Sequence, residues 1–184
     1  MGNRVAGSRV GRVSSSGPWT LVTFGGGGGV TADLTLVTGF TYLFILDVAQ
    51  PESPVDQVRL TPTIAGAAPA VGSVYSSGND AGAGIDVKLA ADFGVLLNAD
   101  HFESDLSAKI WIYPLADRIL MEGQVSVLFD DGGTTTPFTS SWTLRAFDTG
   151  FDGFQVHGSA GGGIGLGNPT FDTCTFSLFR LTES

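Results

Sequence analysis

The stretch that decides the fold class is Gln124-Val125-Ser126-Val127-Leu128-Phe129-Asp130-Asp131-Gly132-Gly133, followed closely by Trp142-Thr143-Leu144-Arg145-Ala146. Val125, Val127 and Phe129 alternate with Gln124 and Ser126, and Trp142, Leu144 and Ala146 alternate with Thr143 and Arg145. Period-two alternation places one set of side chains on a core face and the other on the opposite face, which is the signature of a strand. The Asp-Asp-Gly-Gly run between them supplies turn chemistry, because Asp and Gly tolerate the backbone angles a reversal needs.

Working outward, the same period recurs. Val30, Ala32, Leu34 and Leu36 alternate with polar partners, as do Val58 with Leu60, and Ile85 with Val87 and Leu89. Phe154 with Val156, and Cys174 with Phe176 and Leu178, do the same. Val71 to Tyr75 is a further short run. Tyr42, Phe44, Leu46 and Val48 form one face of a run whose other face holds Leu43 and Ile45, so that strand is expected to be buried on both sides. Ile110 and Ile112 likewise stand opposite Trp111 and Tyr113. Lys88 to Leu97 reads as strand, turn, strand, and the glycine run Gly25–Gly29 as a flexible hairpin tip. Turn signals roughly every 8 to 15 residues between these runs predict an antiparallel β-sandwich of about eight to ten strands. Residues 1–18 are expected to form an extended basic arm, and 19–184 the sandwich.

Composition agrees. The chain has 184 residues, 42% of them hydrophobic and only 15% charged, with 27 glycines. Glycine is at about twice its usual share. Low Lys and Glu content leaves little material for solvated amphipathic helices, and the glycines keep no collagen period. Net charge is −9. Arg4, Arg9 and Arg12 stand in an opening segment without acids, and the remainder carries 6 basic against 18 acidic groups. An acidic body of this kind repels nucleic-acid phosphates and anionic membranes, so neither is expected as a partner. No apolar run is long enough to span a bilayer, and the opening residues lack the apolar core of a secretory signal. The lone Cys174 excludes an intramolecular disulfide and any CxxC metal site.

Candidate chemistry is sparse. Asp148-Thr149-Gly150 matches the aspartic-protease triplet, but that site needs two carboxylates sharing a proton. Phe151 follows where a small residue belongs, and too little chain remains for a flap and sheet. An Asp-x-Gly turn explains the triplet better. Asp92-Phe93-Gly94 stands without the other kinase signatures. His101 and His157 are far apart, without cysteines or closely spaced acids beside both. Asp100, Glu103 and Asp105, and Asp130 with Asp131, have the ligand type for calcium, but neither cluster has EF-hand spacing and loop carboxylates of an acidic chain are usually solvated, so no metal is the leading expectation and calcium the alternative. No cofactor and no enzymatic activity are expected. Trp19, Trp111, Tyr113 and Trp142 are candidates for core, for an oligomer interface, or for a sugar-stacking platform.

From Trp19 to Leu181 the order and texture resemble the single jelly-roll modules of tailed-bacteriophage virion proteins of the tail-fibre, head-fibre and decoration types. An opening Trp19 leads to an aromatic strand, Thr41-Tyr42-Leu43-Phe44-Ile45-Leu46, then Gln57-Val58-Arg59-Leu60 and Tyr75-Ser76-Ser77-Gly78. Later come Ala108-Lys109-Ile110-Trp111-Ile112-Tyr113-Pro114 and the closing Thr175-Phe176-Ser177-Leu178-Phe179-Arg180-Leu181. Phe179 and Arg180 stand where similar proteins carry Tyr and Gly. The resemblance implies a non-enzymatic homotrimer on the virion exterior, docked on a major capsid or tail protein by Arg4, Arg9 and Arg12. Capsid decoration is the leading expectation, with a tail-fibre or baseplate component as the alternative. A third possibility is a carbohydrate-binding module for host surface glycans.

Overall fold

The computed structural model describes residues 18–27, 34–51, 57–67, 74–80, 84–89, 95–98, 105–130, 135–159 and 171–181. Among them there is no helix. Twelve strands run β1 (Trp19–Gly27), β2 (Leu34–Thr35), β3 (Tyr42–Pro51), β4 (Gln57–Thr63), β5 (Val74–Asp80) and β6 (Gly84–Leu89). They continue with β7 (Val95–Asn98), β8 (Asp105–Pro114), β9 (Ile119–Asp130), β10 (Thr135–Ala146), β11 (Gly153–Ser159) and β12 (Phe171–Leu181). One sheet has eight strands in the order β1-β12-β3-β8-β9-β10-β5-β6, the other four in the order β2-β11-β4-β7. Every pairing is antiparallel.

The strand orders carry the topology. The quartet β1-β12-β3-β8 lies in one sheet and β2-β11-β4-β7 in the other. Followed along the chain, those eight strands switch between sheets in the two-Greek-key manner of a jelly roll. The hairpins β5–β6 and β9–β10 are additions that widen only the first sheet.

The core lies between the sheets. Tyr42, Phe44, Leu46 and Val48 from β3, and Ile110 and Ile112 from β8, meet Leu60, Phe154 and Val156 from the smaller sheet. Alternation is regular along β8, where Leu106, Ala108, Ile110, Ile112 and Pro114 are buried and Asp105, Ser107, Lys109 and Trp111 are exposed. Burying this apolar area is the main stabilising contribution, at roughly 25 cal/mol per Å².

Several expectations change. Leu43 and Ile45 are half-buried rather than enclosed, so β3 has one core face and one semi-exposed face. Among the residues whose burial is described, the strand enclosed on both sides is β4: Val58 and Leu60 face the larger sheet, while Arg59, Thr61 and Thr63 on its other face are also buried. None of those three polar residues lacks a partner. Gly25, Gly26 and Gly27 belong to β1 and pair with Phe176, Thr175 and Cys174, so the first part of the glycine run is strand, not hairpin tip. A side chain at Gly25 would collide with the Phe176 ring, so glycine there lets the ring lie against the backbone. Of the 30–36 run, Leu34 and Thr35 form strand and Leu36 follows it, while residues 30–33 lie outside the described residues. So do residues 1–17, which contain Arg4, Arg9 and Arg12, and residues 90–94 and 131–134, where turns are expected from the sequence.

Candidate functional site

The outer face of the eight-stranded sheet is where partly exposed apolar side chains collect. Leu21 on β1 is in register with Phe179 on β12, Phe179 with Leu43 on β3, and Leu43 with Trp111 on β8. All four stand on the solvent side, three half-buried and Trp111 at 37% exposure. Trp19 and Leu181 form the next pair along β1 and β12. Although β12 and β3 separate their strands, the indoles of Trp19 and Trp111 meet edge to face, with centroids 5.3 Å apart and planes at 61°. Two long aromatic side chains thus reach toward one another across this row, sheltering part of it from water.

Polar groups rim the row on one side. Trp111 is in register with Glu122 on β9, and Tyr113 donates its hydroxyl hydrogen to Glu122 Oε1 at 3.3 Å. Partial burial, and then the charge and hydrogen bond of Glu122, push the Tyr113 phenol above its ordinary value. It therefore stays protonated as a donor at neutral pH.

Strand β1 is an edge strand, and it carries a bulge between Leu21 and Thr23. Val22, at the bulge, is 45% exposed, and Phe24 beyond it is 68% exposed. The bulge interrupts the ladder, one of the ways native sheets discourage uncontrolled edge pairing.

The sequence-predicted residues separate into two groups. Trp111 and Tyr113 share this outer face. Trp142 does not: it points from β10 into the core and is 1% exposed, so it is unavailable to a glycan or a partner subunit. Its alternation with Thr143 and Arg145 already placed it on the same face as Leu144 and Ala146, and packing a large indole there buries more apolar area than any other core side chain contributes. Leu21, Leu43 and Phe179 were not singled out as site residues, because their meeting depends on pairings between distant segments.

One remaining motif resolves as structure, while Asp92-Phe93-Gly94 lies outside the described residues. Asp148 of the Asp148-Thr149-Gly150 triplet is exposed and accepts a hydrogen bond from the Thr149 amide at 2.7 Å. Gly150 has φ +88°, and Phe151 is buried in the core. The triplet is a turn between β10 and β11. Asp100, His101, Glu103 and Asp131 lie outside the described residues. Among those described, no three His, Cys, Asp or Glu side chains converge as metal ligands, and no helix is long and apolar enough to cross a membrane.

Fold and face together define the class: a jelly-roll β-sandwich with an apolar, aromatic patch on the outside of its wider sheet. No family model, curated protein or solved structure matches the chain.

Proposed function

We propose that this chain is a non-enzymatic structural protein of a tailed-bacteriophage particle, exposed on the exterior of the head and self-associated as a homotrimer through the outer face of its larger sheet. The observation that carries self-association is the in-register row Leu21, Phe179, Leu43 and Trp111, capped by Trp19. Semi-exposed apolar rows with an aromatic anchor and a charged rim are the anatomy of subunit interfaces. Jelly rolls are a common architecture of viral capsid proteins, which supports the particle assignment beside the resemblance given above. The acidic body keeps many copies soluble and mutually repelling. Arg4, Arg9 and Arg12 dock the arm on an acidic surface of the major capsid protein.

Light scattering on the full chain tests the assembly, with a trimer as the expected mass. Leu43→Asp places a charge in the middle of the row and is expected to give a monomer with an unchanged circular-dichroism spectrum. A wild-type monomer at micromolar concentration overturns self-association. Immunogold labelling of particles tests the location, and label on the tail tip moves the assignment from head decoration to a tail or baseplate component.

A further inference from the structure

We propose that a groove on the same outer face, at the opposite end of the strands from Trp111, mostly apolar in surface and set with hydroxyls and two carboxylates, is a binding site for a neutral oligosaccharide. Pairing registers line up Thr175 on β12, Asp47 on β3, Ser107 on β8, Ser126 on β9 and Thr139 on β10 in one row. The row spans four strand spacings, about 19 Å. Together with Asp105 these side chains line a groove of about 370 Å³, at the small end of ligand pockets, which run roughly 300–1,000 Å³. Ser126 and Thr139 are already hydrogen-bonded, Oγ to Oγ1, at 3.1 Å, so two hydroxyls hold each other in position. Leu128, 40% exposed, and its register partner Pro137 form an apolar wall beside the row.

The lining selects the ligand class by elimination. No described lining residue is basic, and two carboxylates face the groove, which disfavours phosphate, sulfate or sialic acid. The two carboxylates fall short of a metal ligand set, as no three acids or histidines converge among the described residues. A peptide strand cannot add here, because the groove crosses the middle of the sheet and the backbones of β3, β8, β9 and β10 are already paired with one another. Recognition must come from side chains alone. Hydroxyls that both donate and accept, carboxylates that accept strongly, and a largely apolar surface between them match a sugar, which offers hydroxyls at its rim and C–H groups on its ring faces. This site is separate from the aromatic row used for self-association and does not rest on the particle assignment.

Amide chemical shifts of the full-length, isotope-labelled protein test it, with maltotriose, cellotriose and chitotriose as neutral probes and sialyllactose as the anionic one. The expected result is saturable shifts at residues 47, 105, 107, 126 and 139 with at least one neutral trisaccharide, and weaker ones with sialyllactose. Asp47→Ala, which removes a charge-assisted acceptor, should weaken that affinity roughly tenfold, while Ser107→Val should also weaken it and Trp111→Ala should leave it unchanged. The rest of the amide spectrum confirms that each variant is folded. No groove shifts with any neutral probe, sialyllactose binding as tightly as the neutral sugars, or loss of binding in Trp111→Ala instead of Asp47→Ala would each overturn the proposal.

Discussion

Phe44 on β3 and Phe154 on β11 meet edge to face, with ring centroids 4.9 Å apart and planes at 82°. Each belongs to a different sheet, and both are fully buried. The Phe176 ring from β12 lies 6.2 Å from that of Phe44, tilted at 37°. Edge-to-face pairs add about 0.5–1.5 kcal/mol to the area they bury, so this contact is a principal joint of the sandwich. Phe154→Ala removes the pair and leaves a cavity between the sheets. The expected loss is about 3–5 kcal/mol, read by urea unfolding, and Phe154→Leu should lose distinctly less. A loss near zero for the alanine variant would mean that the sheets are joined elsewhere.

Gly123 and Gly25 rank differently for a physical reason. Gly123 on β9 is flanked in register by Ile110 and Trp142. A Cβ there would stand 2.9 Å from the Ile110 Cα and closer still to the Lys109 carbonyl oxygen. Backbone in the middle of a ladder cannot yield without breaking the pairing of β8 with β9. At Gly25 the obstacle is the far end of the Phe176 ring, 2.6 Å away, on a half-buried side chain that can swing aside. Gly123→Ala should therefore cost about 1–3 kcal/mol or more as overpacking, and Gly25→Ala less. Equal melting temperatures for the two variants would contradict this ordering.

The sandwich itself was legible because alternation is a local property: Val125 with Val127, and Trp142 with Leu144, declare their buried face within a few residues. What sits opposite what is not local. The row from Thr175 through Asp47 and Ser107 to Thr139 joins segments far apart in the chain, and nothing in any one strand announces it. Arg59 misleads for a related reason. Its alternation with Val58 and Leu60 marks a face turned away from the core, and only the fold shows that this second face of β4 is covered too. Trp111 and Tyr113 stand opposite Ile110 and Ile112 in the sequence pattern, which leaves core, subunit interface and sugar platform all open for them, and their neighbours Leu21, Leu43 and Phe179 look like ordinary strand residues until the sheet order is known.

Alkaline pH should weaken the fold through Cys174. Its thiol is buried, and burial first, with the nearby Asp47 carboxylate second, pushes its pKa up from 9.0 to about 11. The folded protein therefore holds the thiol proton more tightly than the unfolded chain does. Below pH 9 both states are protonated and the stabilisation is complete. Between about 9 and 11 only the unfolded chain releases the proton, so stability falls with pH, by at most about 1.4 kcal/mol per unit from this group. Cys174→Ala should remove that slope in urea titrations across this range. The same slope in the variant would assign it to other groups.

The hairpin after β4 offers a gain rather than a loss. Ile64 and Ala67 bond to each other in both directions, at 2.9 and 3.1 Å, which leaves Ala65 and Gly66 as a two-residue loop. Both have positive φ, 51° and 76°, the pattern of a type I′ turn. Gly66 adopts it freely, whereas Ala65 places a Cβ in the left-handed region, at roughly 1–2 kcal/mol. Asp152 offsets part of that strain, since its Oδ1 accepts the Ala65 amide hydrogen at 2.9 Å. The Asp152 backbone ties the same corner to the strands, donating to the Thr63 carbonyl and accepting from the Leu36 amide. Asn tolerates this conformation and favours the turn when Gly follows, so Ala65→Asn should stabilise the protein by about 0.5–1 kcal/mol. Asp152→Ala should cost about 1 kcal/mol through the lost hydrogen bond, and β-branched Ala65→Val should cost more than it. Calorimetric melting of the three variants checks the order, and an unstabilised Ala65→Asn would show that Asp152 already relieves the turn.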